Sequence, residues 1–118
     1  MSEVFRAWDK NKNQYINSFV VNMNGSVYYD TEYSEGKADA ILERATGIQD
    51  KNGRMIFEGD IVDGVLYADY SQHIGRVLYD HGGYMIVTKE KSMPLDLTEK
   101  LEIIGNINEN KELLGEGG

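Results

Sequence analysis

The stretch that decides the fold class is Gly75-Arg76-Val77-Leu78-Tyr79, followed by Asp80-His81-Gly82-Gly83 and then by Tyr84-Met85-Ile86-Val87-Thr88. Two runs rich in β-branched and aromatic residues flank a short turn that contains two glycines. Such runs are typical of strands, and a glycine-containing turn between them is typical of a β-hairpin. The sequence therefore predicts two antiparallel strands here.

On both sides of this hairpin the chain continues as short segments separated by turn residues. Glu58-Gly59-Asp60 leads into a predicted strand at Ile61, and Leu101 to Ile107 reads as the last strand, while Met93 to Leu97 is a connection of uncertain shape. Short strands punctuated by glycine are typical of a small SH3-like β-barrel, in which closure removes the sheet edges. Residues 58–114 are thus predicted to form such a barrel.

The N-terminal half predicts further hairpins and one helix. Val4 to Trp8, Tyr15 to Met23 and Ser26 to Asp30 read as strands, and Asn24-Gly25 supplies the residues favoured in a tight turn. Between Gly36 and Gly47 apolar residues recur at helical spacing, which predicts an amphipathic helix; these are Ala38, Ile41, Leu42 and Ala45.

The expected architecture is mainly β, a β-rich α+β chain with N-terminal antiparallel hairpins and one short helix packed beside the SH3-like barrel. A length of 118 residues indicates one domain, residues 1–118, with two lobes at 1–57 and 58–114. The glycine-rich end, 115–118, is expected to be a disordered tail.

Composition excludes several classes of function. The chain has no cysteine, which excludes disulfides, thiol nucleophiles and Cys-ligated metals. No run of apolar residues is long enough to span a membrane and no leader pattern opens the sequence, so we expect no membrane association and a cytoplasmic location. A net charge of −8 disfavours non-specific contact with nucleic acid or anionic lipid.

Three motifs stand out along the chain: Phe5-Arg6-Ala7-Trp8-Asp9, the central stretch from Thr46 to Gly53 continued by Ile56 to Val62, and Glu102 to Ile107. Together they resemble the YopX family of bacteriophages and prophages of Gram-positive bacteria. The positions singled out by this resemblance are interpreted as structural, because turns favour glycine, Asp and Asn; they are Trp8, Gly47, Asp50, Asn52, Gly53, Glu58, Gly59, Asp60, Gly105 and Asn106.

The resemblance implies a mainly β fold, a phage or prophage origin and assembly into a homo-oligomer, with a hexamer as the implied form. It implies no established activity. The aromatic residues Trp8, Phe19, Tyr28 and Tyr67 are the candidate anchors of a subunit interface, since a few buried aromatics usually carry most interface energy.

Two metal-site hypotheses fail on the residues themselves. Asp9, Asn11 and Asn13 occupy the first ligand positions of a calcium loop, but Val20 stands where a bidentate Glu is required. The pair His73 and His81 could bind metal together with Asp69 or Asp80, but His81 lies in a predicted turn, where an exposed His is ordinary. No metal and no cofactor is predicted.

Catalysis has no good candidate either. Glu58 and Asp60 could form a carboxylate pair, yet their spacing at a strand entrance favours a turn role. No serine lies in a nucleophile-elbow context, and no phosphate-binding glycine loop is present. The sequence predicts that the protein is not an enzyme.

The leading hypothesis is a phage or prophage accessory protein that assembles with itself and acts by binding an unknown protein partner. One alternative is nucleic-acid binding by the small barrel, with Arg76 and Lys89 beside stacking tyrosines. Only five basic residues accompany ten acidic ones from residue 61 onward, which makes nucleic acid the weaker hypothesis. Another alternative is an acidic DNA mimic that acts on a host nucleic-acid enzyme. The tyrosines considered as stacking or interface residues are Tyr67, Tyr70, Tyr79 and Tyr84.

Overall fold

A computed structural model describes residues 4–30 and 36–115, and it confirms a mainly β chain. Eleven strands and two short 3-10 helices are present in the described residues. Residues 116–118 of the predicted disordered tail lie outside them. The strands are β1 Phe5–Asp9, β2 Gln14–Tyr15, β3 Phe19–Val21, β4 Val27–Tyr29, β5 Ala40–Gln49, β6 Met55–Phe57, β7 Asp60–Leu66, β8 Gln72–Asp80, β9 Gly83–Val87, β10 Ser92–Pro94 and β11 Thr98–Asn106.

The chain divides into two compact units, residues 1–44 and residues 45–118. The sequence predicted this boundary between residues 57 and 58. The difference arises because Ile56 of β6 is fully buried in the hydrophobic core of the second unit, and because β6 pairs with the last part of β5. Each unit has its own apolar cluster.

In the first unit, β1 pairs antiparallel with β2 and with the first half of β5. The predicted strand Tyr15 to Met23 is in fact two strands, β2 and β3. Instead of extending the β1 sheet, β3 pairs with β4 as a separate two-stranded sheet, with the predicted turn at Asn24-Gly25 between them. The apolar cluster of the first unit is centred on the buried residues Ala7, Val27 and Ala38.

The predicted helix between Gly36 and Gly47 is wrong, since Ala40–Gln49 forms a strand. The four-residue spacing of Ala38 and Leu42 fits a helix face, but residues four apart also share a face in a strand. In the structure both pack in the same apolar cluster, and β1 pairs with five residues of β5. Strand pairing has overridden helix propensity here.

In the second unit, five antiparallel strands form a half-barrel in the order β10-β9-β8-β7-β11. The predicted hairpin is present: β8 and β9 pair from Arg76 opposite Val87 to Asp80 opposite Gly83, around a turn at His81-Gly82. In the described residues β10 and β11 are not paired with each other, so closure into an SH3-like barrel stays a prediction. Core residues on one face of this sheet include Val62, Val77 and Ile86, all fully buried.

The two 3-10 helices, Leu95–Leu97 and Lys111–Leu114, flank β11 in sequence. Across residues 4–30 and 36–115, no helix has the length and apolar character needed to cross a bilayer.

Candidate functional site

The motif around Asp50 forms a turn that is fixed by one buried carboxylate. The Asp50 side chain is fully buried, and its Oδ1 accepts hydrogen bonds from the backbone N–H groups of Asn52 at 2.9 Å and Arg54 at 3.0 Å. Its Oδ2 accepts a third from the N–H of Ile103 at 3.1 Å. Asn52 contributes its backbone to this arrangement, as expected of an Asx-type turn.

The charge of Asp50 is stabilised in this position. Burial disfavours the carboxylate and raises its pKa, but the N–H donors of Ile103, Arg54 and Asn52 outweigh burial, so the pKa is lowered overall from its ordinary value. The Arg54 guanidinium, 3.5 Å away, acts in the same direction. Asp50 is therefore ionised at neutral pH and serves as a hydrogen-bond acceptor inside the fold.

This turn covers the outer edge of β11. The backbone N–H of Lys51 donates to the Leu101 carbonyl at 2.7 Å, and Arg54 Nη2 donates to the Ile103 carbonyl at 2.8 Å. Together with the Ile103 N–H bound to Asp50, these contacts satisfy edge groups that an extra strand would otherwise pair with. The central motif and the closing motif are thus joined by direct hydrogen bonds.

Four other motif residues make contacts in the neighbouring turns and at the end of β11. Gly59 has φ +89°, its N–H donates to Val77 and its carbonyl accepts from Ile107, while buried Asp60 accepts the Phe57 N–H at 2.8 Å. A side chain at Gly105 would come within 2.8 Å of Asn110 and Leu113. Asn106 Oδ1 accepts the N–H groups of two residues of the following turn, Asn108 and Glu109. These contacts hold the local turns and the end of β11 in place.

A groove of about 450 Å³ lies in the second unit beside the β8–β9 turn. Its lining includes the carboxylates of Asp80 and Asp96, the half-buried Tyr84 and Met85, and no Lys or Arg. His81 Nδ1 lies 2.8 Å from Asp80 Oδ1, and the His81 side chain is 92% exposed. The groove suits a ligand in which an apolar group is adjacent to a positively charged one, because apolar side chains and two carboxylates line it. Its full lining is Ile48, Asp80, His81, Gly82, Gly83, Tyr84, Met85, Pro94, Leu95 and Asp96.

Comparison with known proteins agrees with the motifs. A sequence profile of the YopX protein family matches residues 4–115. The chain belongs to the YopX family. No curated protein was found to match the sequence significantly.

Two crystal structures resemble this member of the YopX family. Protein EF1440 from Enterococcus faecalis is 23% identical, with a TM-score of 0.64 over 94% of this chain and 96% of that chain. Protein yopX from Bacillus subtilis is 20% identical, with a TM-score of 0.63 over 96% of this chain and 98% of that chain. At these identities the likeness shows a shared fold.

The first unit of the YopX chain contains a polar cluster that sequence reasoning missed. Glu43, 4% exposed, accepts hydrogen bonds at Oε1 from Arg6 Nε at 2.7 Å and from the Tyr15 hydroxyl at 3.0 Å. The Arg6 guanidinium lies over the Tyr15 ring at 4.6 Å, and Trp8 meets that ring edge-on at 4.9 Å. Thirty-seven positions separate Arg6 from Glu43, so only the strand pairing of β1 with β5 brings them together.

Asp9, considered as a calcium ligand, is engaged by protein donors. Its carboxylate accepts the N–H groups of Asn11 and Lys12 at 2.9 and 3.1 Å, and also the Tyr29 hydroxyl. The Tyr29 hydrogen bond lowers the pKa of Asp9 against the effect of burial, and Asp9 in turn raises the pKa of Tyr29. Asn13 closes the turn with φ +54° and an N–H bond to the Asp9 carbonyl.

Asp69, Ser71 and His73 lie together at the turn end of the β7–β8 hairpin, but their hydrogen bonds do not activate Ser71 as a nucleophile. The Ser71 hydroxyl lies 2.5 Å from Asp69 Oδ1 and 2.7 Å from His73 Nε2. The bond from Ser71 lowers the pKa of Asp69, so Asp69 is a carboxylate and takes the hydroxyl proton. His73 Nε2 must then donate and cannot act as the base.

Within the described residues, the candidate metal ligands His73 and His81 do not lie in a group of metal-binding side chains. In the part of the chain that the structure describes, no three His, Cys, Asp or Glu side chains come together as a group that could hold a metal ion. His73 lies on β8, whereas His81 lies in the turn beyond its end.

The candidate interface aromatics occupy different environments. Trp8 is 6% exposed and has little surface to offer a partner, while Tyr67 is 55% exposed. Phe19 and Tyr28 are half-buried on neighbouring strands of the β3–β4 hairpin. Of these residues, Phe19 packs against the apolar cluster of the first unit.

Proposed function

We propose that this YopX protein is a phage or prophage accessory protein of Gram-positive bacteria that assembles with itself and acts by binding a partner protein. The observation that carries the proposal is an exposed apolar surface without charge in the first unit. From Asn13 to Tyr29 the sequence contains no Asp, Glu, Lys or Arg, although 12 basic and 20 acidic residues are present in the whole chain.

Apolar side chains in this stretch face solvent. Val20 is 50% exposed, Val21 is 36% exposed, and Met23 is fully exposed. Exposed apolar residues that stand singly are ordinary. Here three lie within four residues of an uncharged segment, and Val20 and Val21 lie on opposite faces of β3, so both faces of that strand offer apolar atoms to a partner. Covering this surface with protein would remove apolar area from water, which favours association.

The groove in the second unit supports the choice of a protein as partner. Its apolar floor and its two carboxylates, Asp80 and Asp96, suit a Lys or Arg side chain that flanks an apolar residue. Such a combination is offered by a basic segment of a cytoplasmic host protein.

Nucleic-acid binding is the less favoured function. Arg76 and Tyr79, which the sequence suggested as joint contributors, are three apart on β8 and so face opposite sides of the sheet. Tyr79 instead meets Tyr84 edge-on at 5.2 Å. The acidic groove repels phosphate. Retention on single-stranded DNA or RNA at low salt would favour the nucleic-acid alternative over the proposed function. For the DNA mimic, competition with DNA for a host nucleic-acid enzyme is the corresponding test.

Light scattering at micromolar concentration tests self-assembly directly. The expected mass is a multiple of the 13.3 kDa of one chain. A mass near 13.3 kDa at all accessible concentrations would reject self-assembly.

Partner binding is tested by comparing the wild-type chain with the double variant Asp80→Asn, Asp96→Asn as baits for host proteins. A partner that uses the groove should be captured by the wild type and lost with the variant. The matched control is Asp39→Asn, a comparable exposed carboxylate in the first unit, which should retain the partner. Equal capture by all three baits would remove the groove from the proposal.

A further inference from the structure

We infer that strand β3 is the seam of self-assembly, at which two copies of the chain pair antiparallel through their β3 edges. The inference rests on the proposed function, since it names the surface that assembly uses. It joins the β3–β4 hairpins of two copies into one continuous sheet.

The open edge of β3 is defined by its hydrogen bonds. On one side β3 pairs with β4, in a ladder flanked by Asp30 N–H to the Ser18 carbonyl and Asn22 N–H to the Ser26 carbonyl. Because bonded pairs alternate in an antiparallel ladder, Val20 bonds to β4, while Phe19 and Val21 direct their N–H and C=O groups away from it. In residues 4–30 and 36–115 no strand pairs with that other side.

The far side of β4, in contrast, is already covered. The Tyr29 N–H donates to the Gly36 carbonyl and the Ala38 N–H donates to the Val27 carbonyl, around a bridge between Tyr28 and Lys37. The two-stranded sheet therefore has one edge available, and that edge is β3.

Three other outer edges in the described residues are blunted. The turn from Asp50 to Arg54 covers β11, β10 carries Pro94, and β2 has only two residues. Proteins usually blunt an edge with Lys, Pro, a covering loop or shortness. The ladder of β3 extends from Ser18 to Asn22 and contains neither proline nor charge.

The charge distribution favours a second copy of this chain as the partner that pairs with the β3 edge. Two chains that each carry a net charge of −8 repel one another as wholes. The uncharged stretch from Asn13 to Tyr29 is where they can approach with least repulsion. A basic partner, by comparison, would gain nothing electrostatically from contact at β3.

The alternation of bonds also fixes the register. Phe19 and Val21 carry the free backbone groups, so a twofold axis at Val20 places Phe19 opposite Val21 of the second copy and Val20 opposite its own counterpart. The contact is then the same on both copies. Val20 of each copy lies in a non-bonded pair, where Cα atoms are about 4.5 Å apart.

That spacing allows a cross-linking test in a chain that has no native cysteine. A disulfide spans Cα distances of about 4.4–6.8 Å, so Val20→Cys should oxidise readily to a covalent dimer. The control is Ile41→Cys, which places a cysteine at a comparably exposed strand position, 43% against 50%, in the same unit. It should stay uncross-linked under the same oxidation.

A second pair of variants tests the seam without oxidation. Val20→Lys places two like charges opposite each other and should weaken self-association by about tenfold or more. Val20→Thr keeps a β-branched, uncharged residue and should retain assembly. Circular dichroism should show that both variants keep the fold, because Val20 is half exposed.

The outcomes separate the two proposals. Cross-linking at Val20 with loss of assembly in Val20→Lys supports the seam. If the wild type assembles but Val20→Cys does not cross-link and Val20→Lys keeps its mass, the seam is overturned while self-assembly stands. A monomeric wild type, together with no cross-link in Val20→Cys, overturns both.

Discussion

Asp50 is the residue on which the central motif depends, and its replacement by Asn is the most direct test. An amide has one acceptor oxygen and presents an NH₂ group to an N–H donor, so Asp50→Asn leaves buried polar groups unpaired. We expect a loss of about 2–3 kcal/mol in the free energy of unfolding at neutral pH. Denaturant unfolding measures it.

The same residue predicts a pH dependence. The pKa of Asp50 is lower in the folded than in the unfolded chain, so the unfolded chain binds the proton first as the pH falls. The stabilisation is complete well above the ordinary pKa of 3.8 and is lost as the pH falls through the folded value. The difference in stability between the wild type and Asp50→Asn should therefore shrink on acidification. For Asp39→Asn, an exposed carboxylate, the difference should stay small throughout. A constant gap between wild type and Asp50→Asn from neutral to acid pH would contradict this account.

Gly59 tests the strand entrance. Its φ of +89° is a conformation that a β-branched residue adopts only with strain, and Gly59→Val should destabilise the protein by about 1–3 kcal/mol. Gly36→Val is the matched control, because Gly36 is exposed, lies outside the positive-φ set and has open space around it. Equal melting temperatures for the two variants would refute the explanation.

At the scale of elements, the turn from Asp50 to Arg54 acts as the cover of the β11 edge. Arg54→Ala removes the bond to the Ile103 carbonyl and should cost about 0.5–1.5 kcal/mol. Lys51→Ala removes only an exposed ion pair with Glu102 at 3.3 Å, so its effect should stay below about 0.5 kcal/mol. Hydrogen exchange should show faster opening of β11 amides in Arg54→Ala alone. If the β11 amides exchange at the same rate in Arg54→Ala and Lys51→Ala, the turn does not protect the β11 edge.

The elements also show how far sequence reasoning reaches. The β8–β9 hairpin was predictable because strand composition and turn residues are adjacent in the chain. The strand Ala40–Gln49 was not, since its helix-like spacing is resolved only by pairing with β1. Likewise the motif residue Asp50 could be chosen for its turn, but its bond to Ile103, 53 positions away, has no local signal.

The Arg6–Glu43–Tyr15 cluster was missed for a related reason. A buried carboxylate with two donors can be recognised only when its partners are known. A helix with Ile41, Leu42 and Ala45 on its apolar face also leaves Glu43 off that face. A strand assignment would have put Glu43 on the same face as Ile41, away from Leu42. The cross-strand pair with Arg6 would then have followed from the register.

At the scale of the whole molecule, a net charge of −8 and an uncharged seam predict how assembly responds to salt. Repulsion between copies acts over a Debye length of about 10 Å at 0.1 M salt and about 3 Å at 1 M. Apolar and backbone contacts at β3 are not weakened by screening. Light scattering across this range should therefore show assembly that strengthens or holds as salt rises. Dissociation by salt would mean that ion pairs hold the copies together, which would place the contact on a charged surface instead of β3.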